Sequence, residues 1–183
     1  MTLWEKVVVC PYHIILSGNF AMKLLTGEYS HTLDNKGRVL ISNKLRNQID
    51  EEENGSNFYL VPGPNGILCL YPEKYFERIV LAGTPLTIAP DEAVAFERIS
   101  FALASKVELD NQGRLLLNDK VRKRAGLKND ITMVGVRDHI ELWNSQSWEQ
   151  YLEDHTAQYQ QQITQARQVV LQKYNNEEDE LPT

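Results

Sequence analysis

The sequence predicts an α+β protein built from tandem β-hairpin modules, with flanking helices and a long C-terminal helix. Three observations predict it: an internal duplication, the same turn signal in both copies, and strand-period segments that alternate with helix-period ones. Leu33-Asp34-Asn35-Lys36-Gly37-Arg38-Val39-Leu40-Ile41 recurs as Leu109-Asp110-Asn111-Gln112-Gly113-Arg114-Leu115-Leu116-Leu117. In the same register Lys44, Leu45 and Arg46 answer Lys120, Val121 and Arg122. Leu68-Cys69-Leu70-Tyr71 answers Ile140-Glu141-Leu142-Trp143, and Phe76 answers Trp148.

Each copy opens on a hairpin. An aspartate at the first turn position and a glycine at the fourth suit a type I turn followed by a left-handed residue, and Asp34 to Gly37 and Asp110 to Gly113 both obey this. The triplet after each turn is continuously apolar, which predicts a strand buried on both faces. A short helix should follow, with Ile41, Leu45 and Ile49 on one face in the first copy and Leu117, Val121 and Ala125 in the second. Ser42 and Asn118 suit its N-cap, and Gly126 its C-terminal stop. A second strand pair then runs from Phe58 to Val61 and from Ile67 to Tyr71. It is joined through Pro62-Gly63-Pro64-Asn65-Gly66. The counterpart runs from Ile131 to Val136 and from His139 to Trp143, turning at Arg137-Asp138.

Two helices should connect the copies, one from Pro72 to Ala82-Gly83 and one from Pro90-Asp91 to about Ile99, since proline is tolerated in a first helical turn. A long helix is expected from Asn144 or Ser145 to Tyr174, followed by a disordered acidic tail over 175–183. The implied organisation is an extension over 1–21, a first module over 22–75, connecting helices over 76–103, a second module over 104–147, a helix over 148–174 and the tail.

Composition is that of an ordinary soluble domain, with 42% hydrophobic and 24% charged residues among 183. Cys10 and Cys69 fit no metal spacing and no disulfide framework, which suits a reducing cytoplasm. No apolar run approaches a membrane span. The net charge of −6 is unevenly placed: residues from Trp148 onward carry −5, whereas 104–147 carry +2. Local charge decides whether a face attracts phosphate, so the acidity does not exclude nucleic acid. Walker-type loops, nucleophile elbows and zinc-type cysteine pairs are absent from the sequence, and His13, His31, His139 and His155 have no helical spacing that joins two on one metal. His31 reads as an isolated surface histidine on a strand. No enzyme, cofactor, metal or small-molecule substrate is expected.

Gly27 to Arg38 resembles the opening of an MraZ protein, as do the duplicated Asp34/Arg38 and Asp110/Arg114 and the closing Glu141-Leu142-Trp143 with Trp148. The resemblance covers about Met22 to Trp148. It implies a pseudo-symmetric AbrB-like, swapped-hairpin β-barrel, ring-shaped homo-oligomers, and binding to repeats in double-stranded promoter DNA ahead of cell-division and cell-wall genes. A regulator of this kind would work in the cytoplasm, on the nucleoid. The family usually carries proline where this chain has Ser42. Residues 1–21 have no family counterpart and Met22-Lys23-Leu24-Leu25 resembles a family N-terminus, so a misassigned start is the expectation. The tail beyond about Asp154 is longer than the family norm.

Among candidate site residues, Asp34 and Asp110 are expected to serve the turns with Gly37 and Gly113, each pairing with the arginine across its hairpin. Arg38 and Arg114 are expected to reach DNA, because a two-stranded ribbon fits the major groove and a guanidinium binds phosphate or guanine with two hydrogen bonds. Lys36 strengthens the first tip, while Gln112 leaves the second less positive. Lys120, Arg122, Lys123, Arg124 and Lys128 form a basic cluster that serves either phosphate or solvent, and Lys44 and Arg46 offer a smaller version in the first copy. Tyr71, Phe76, Trp143 and Trp148 are expected in the core. The competing function is a ring-forming assembly protein that binds partners through its glutamine-rich C-terminal helix, with DNA contact incidental.

Overall fold

Alternation within the strand segments builds a single antiparallel sheet from both copies. In the computed structural model, which describes residues 24–82 and 91–179, the elements run β1 (Leu25–Thr32), β2 (Arg38–Leu40), α1 (Asn43–Arg46), α2 (Glu51–Asn54), β3 (Phe58–Pro62), β4 (Leu68–Pro72) and α3 (Glu73–Leu81). They continue as α4 (Asp91–Leu103), β5 (Ser105–Val107), β6 (Arg114–Leu116), α5 (Asp119–Arg124), β7 (Asp130–Arg137), β8 (His139–Asn144) and α6 (Ser145–Asp179). The protein is α+β. Six strands form an open sheet in the order β1-β7-β8-β4-β3-β5, and β2 pairs with β6 in a separate ribbon. The expected break after residue 21, Gly83 and Pro90 lie outside the described residues.

Pairing crosses between the copies. The first copy's opening strand lies not on its own β2 but on β7, with Leu25 opposite Arg137 and Thr32 opposite Asp130. β2 lies on β6, with Val39 opposite Leu115. The hairpin expected within each copy is therefore confined to the turn itself, closed by Asp34 N–H to Arg38 C=O in one and Asp110 N–H to Arg114 C=O in the other, each 2.9 Å. A two-residue periodicity cannot say which strand a strand will meet.

The sheet's two faces differ. One carries Leu25, Leu60, Leu70, Ile131, Met133, Ile140 and Leu142, all buried, under a lid of Val39, Ile41, Leu45, Leu115 and Leu117. The other carries Val61, Cys69 and Tyr71 and is covered by Phe76 and Ile79 of α3. Tyr59 stacks on Phe76 at 4.8 Å between ring centroids. The core places Tyr71 and Phe76 as expected and packs Trp143 beside them. Trp148 departs from expectation: it is half-buried and stacks on Tyr151, 5.7 Å away, within α6. His31 is half-buried on β1, and burial pushes its pKa down.

Several further expectations need correction. The post-turn triplets are not buried on both faces, since Leu40 and Leu116 are 39% and 59% exposed on the outer side of the two-stranded ribbon. A ribbon has only one face against the core. The first-copy helix is one turn long, because Asp50 accepts from Glu52 and Glu53 N–H and starts a new turn at Glu51. Ile41, Leu45 and Ile49 are nonetheless all buried. Ser42 occupies the N-cap position but makes no side-chain capping bond, whereas Asn118 accepts from Val121 N–H at 3.0 Å. Gly126 ends α5 at φ 61°. The second connecting helix passes Ile99 and ends at Leu103, and α6 continues through Asn175 to Asp179, where a disordered tail was expected. Neither Gly nor Pro interrupts either run, so the backbone ladder continues. The chain divides into two units after Ser145. Among the described residues no helix is long and apolar enough to cross a membrane.

Leu142 is fully buried in β8, between β7 and β4. Leu142→Ala should cost about 2–5 kcal/mol, the usual range for a core truncation. Urea unfolding should show a lower midpoint with an unchanged slope; a loss under 1 kcal/mol would mean the sheet's aliphatic face is not the main core.

Candidate nucleic-acid interface

The two turns are built alike. Asp34 Oδ1 accepts from the backbone N–H of Lys36 and Arg38, each at 2.9 Å, and Gly37 N–H closes the turn on Asp34 C=O. Asp110 Oδ1 accepts from Gln112 at 2.9 Å and Arg114 at 3.0 Å. Gly37 and Gly113 follow at φ 75° and 76°, a region that other residues enter only with strain. The second carboxylate oxygen holds the guanidinium: Arg38 Nε and Nη2 lie 2.7 and 2.6 Å from Asp34 Oδ2, and Arg114 repeats this with Asp110 at 2.8 and 2.7 Å. Hydrogen bonds from the arginine side chain and backbone hold each aspartate down to about 2.

Arg38 also faces the other copy, its Nη1 lying 3.9 Å from Asp110 Oδ2. Both arginines are only about a quarter exposed, at 27%. Each guanidinium is thus oriented by its aspartate before any ligand arrives. The β2–β6 pairing sets the turns together, with Ile41 N–H donating to Gly113 C=O at 3.0 Å and Leu117 N–H to Gly37 C=O at 2.9 Å.

The basic residues after each turn serve the opposite copy. Arg46 packs its guanidinium over Gly113, so closely that a Cβ there would lie 2.6 Å from Arg46 Cζ. Arg122 lies over Gly37, 3.4 Å from the corresponding point, and pairs with Asp119. The structure therefore brings Lys36, Arg38 and Arg122 to the first turn, and Arg114 and Arg46 to the second. Arg46 at the second turn is matched by Arg122 at the first, so Gln112 leaves the second turn one cation short; this exchange of arginines is hidden from the sequence because it depends on the crossed pairing. Lys44 and Lys120 are exposed, on α1 and α5, and Lys44 Nζ stands 5.9 Å from the Tyr29 ring. Lys123, Arg124 and Lys128 are exposed as well. The described residues that could hold a metal lie elsewhere, on the face of the sheet beneath α3.

The family model described as "MraZ protein, putative antitoxin-like" matches residues 24–95 and 100–170, one stretch for each turn. The chain is 35% identical over 136 residues to a protein of Finegoldia magna named "Transcriptional regulator MraZ", covering 74% of this chain and 92% of that one. A protein of the same name from Moorella thermoacetica is 34% identical over 137 residues (75% and 92%). One from Carboxydothermus hydrogenoformans is 36% identical over 138 (75% and 93%). These relatives carry a regulator's name and not an enzyme's.

The turn aspartates predict an acid sensitivity. Their folded-state pKa lies below the ordinary 3.8, at about 2, so each contributes stability that is present above pH 4 and lost as pH falls through 2. The double variant Asp34→Asn/Asp110→Asn should melt lower at neutral pH and lose less between pH 4 and 2. Thermal unfolding followed from pH 5 to 2 checks this; parallel curves would show that these carboxylates titrate alike in both states.

Proposed function

Because the chain belongs to the MraZ family, we propose that it is a sequence-specific DNA-binding transcriptional regulator acting at promoter repeats upstream of cell-division and cell-wall genes. The observation that carries this is the joined pair of turns, each holding an oriented arginine and a cation supplied by the other copy. Lys36, Arg46, Arg122, Lys44 and Lys120 would contact phosphates. Arg38 and Arg114 would address base edges, because a guanidinium fixed by a carboxylate presents its remaining donors in one direction. The crossed pairing of β2 and β6 favours a swapped-hairpin, AbrB-like barrel with modules over 22–75 and 104–147. The exposed Leu40 and Leu116 favour burial against further copies, in a homo-oligomeric ring whose several turn pairs engage neighbouring repeats. The protein would act in the cytoplasm, on the nucleoid, without a small-molecule substrate.

The rival is an assembly protein whose C-terminal helix binds partners. α6 gives it some support, since Tyr151, Leu152 and Tyr159 are exposed along that helix. Fluorescence anisotropy with the chain's own upstream DNA and a shuffled control separates the two. Specific binding should exceed binding to the shuffled duplex by at least about a thousandfold. Lys36→Ala should weaken both and lower the salt slope by about one per contact. Arg38→Ala should reduce discrimination at one base position by roughly 1–3 kcal/mol per site while the oligomer survives. Arg114→Ala should act in the same way at the second turn but less strongly, because Gln112 supplies no neighbouring charge there. Equal affinity for both duplexes would overturn the regulator and favour the assembly protein.

A further inference from the structure

On the sheet face beneath α3, the neighbouring strands β4 and β8 bring Cys69 together with His139 and Glu141, which lie far from it in sequence. Cys69 stands opposite Glu141 in the strand register, and alternation puts His139 on the same face as Glu141. One ligand atom of each, the Cys69 Sγ, a His139 ring nitrogen and a Glu141 carboxylate oxygen, lies within 4.8 Å of the others. Cys69 and His139 are buried and Glu141 half-buried.

Each potential ligand is oriented by its own neighbours. His139 Nδ1 lies 2.7 Å from Asp138 Oδ1, and because a carboxylate only accepts, that nitrogen carries the proton. Asp138 is in turn fixed by the Tyr75 hydroxyl, which donates to its Oδ2 at 2.8 Å. The opposite ring nitrogen, Nε2, points to Glu141 Oε1 at 3.5 Å. Trp143 Nε1 donates to Glu141 Oε2 at 2.8 Å, which leaves Oε1 turned toward the histidine. The Tyr71 ring stacks on the imidazole, 4.7 Å between centroids, and a side chain at Gly63 would collide with Cys69 Sγ at 2.5 Å. A histidine whose far nitrogen donates to a carboxylate is the usual second-shell arrangement of a metal ligand.

We propose that Cys69, His139 and Glu141 form a binding site for one divalent transition-metal ion of the zinc class. Zinc bonds of about 2.0–2.3 Å in a tetrahedron set donors roughly 3.3–3.8 Å apart. The 3.5 Å His139–Glu141 separation already matches, and the Cys69 Sγ stands within 4.8 Å of both. A sulfur, nitrogen and oxygen set favours a borderline-soft ion over magnesium or calcium. The fourth position is left for water or a small anion. Such an ion would tie β4 to β8 and, through Asp138 and Tyr75, to α3. The site is independent of the turns that face DNA.

The full chain, treated with a chelator and titrated with cobalt(II), tests this. Saturation at one equivalent per chain is expected, with a thiolate-to-cobalt charge-transfer absorption and the visible bands of tetrahedral cobalt, both displaced by zinc(II). Cys10→Ser should keep the charge-transfer absorption and Cys69→Ser should lose it. Asp138→Asn keeps all three ligands and should weaken binding by about 10–100-fold. Circular dichroism identifies any variant that fails to fold, and the wild-type titration stands without them. Absence of saturable binding, cobalt bound without a thiolate band, or a band that survives Cys69→Ser would overturn the proposal and leave the cluster as a hydrogen-bonded ion pair.

Discussion

Three residues of β2 against three of β6 are too few to hold together as an isolated ribbon. What fixes them is the floor beneath: Val39, Ile41, Leu115 and Leu117 are buried against the aliphatic face of the main sheet. Burial of such side chains is worth roughly 1.5–3 kcal/mol each, so the turns above inherit the rigidity of the core. The pairing also sets the chemistry. Since each strand lies on the other copy's strand, the helix that follows each strand delivers its arginine to the other copy's turn. One copy alone would have neither a complete ribbon nor a complete set of cations.

Charge at this surface is arranged on two levels. Asp34 with Arg38, and Asp110 with Arg114, are close to neutral as pairs, so they add little long-range attraction. Their value is direction, because the carboxylate occupies one edge of the guanidinium and fixes its plane. Positive potential at this surface comes from Lys36, Lys44 and the basic run after Asn118, Lys120 included. The segment from Trp148 onward accounts for −5 of the chain's net −6. An overall net charge of −6 therefore describes this surface poorly.

Much of the fold was legible in the sequence because its signals are local. The turn at Asp34 to Gly37, the cap at Asn118, the stop at Gly126 and the strand pair around Pro64-Asn65-Gly66 each depend on residues a few positions apart. What was not legible depends on pairing at long range. Leu40 and Leu116 look like core residues until the ribbon is known to have one covered face. Arg46 reads as part of the first copy until the crossing carries it to Gly113. Cys69 and His139 are seventy positions apart, and no spacing rule links them; the cue available was the aligned pair of copies, which sets Cys69 opposite Glu141.

The strand β8 shows how one alternation keeps two roles apart. Ile140 and Leu142 point into the aliphatic core that supports the ribbon. His139, Glu141 and Trp143 alternate with them, among a histidine–carboxylate network bounded by Tyr71 and Tyr75. A side chain on one face reaches the other only through the backbone. Changes to the polar positions should therefore act on the anchoring of β8 to β4 and α3, while changes to the aliphatic positions act on the floor of the turns. The strand separates these roles because Ile140 and Leu142 have no polar atoms to share with the network behind them.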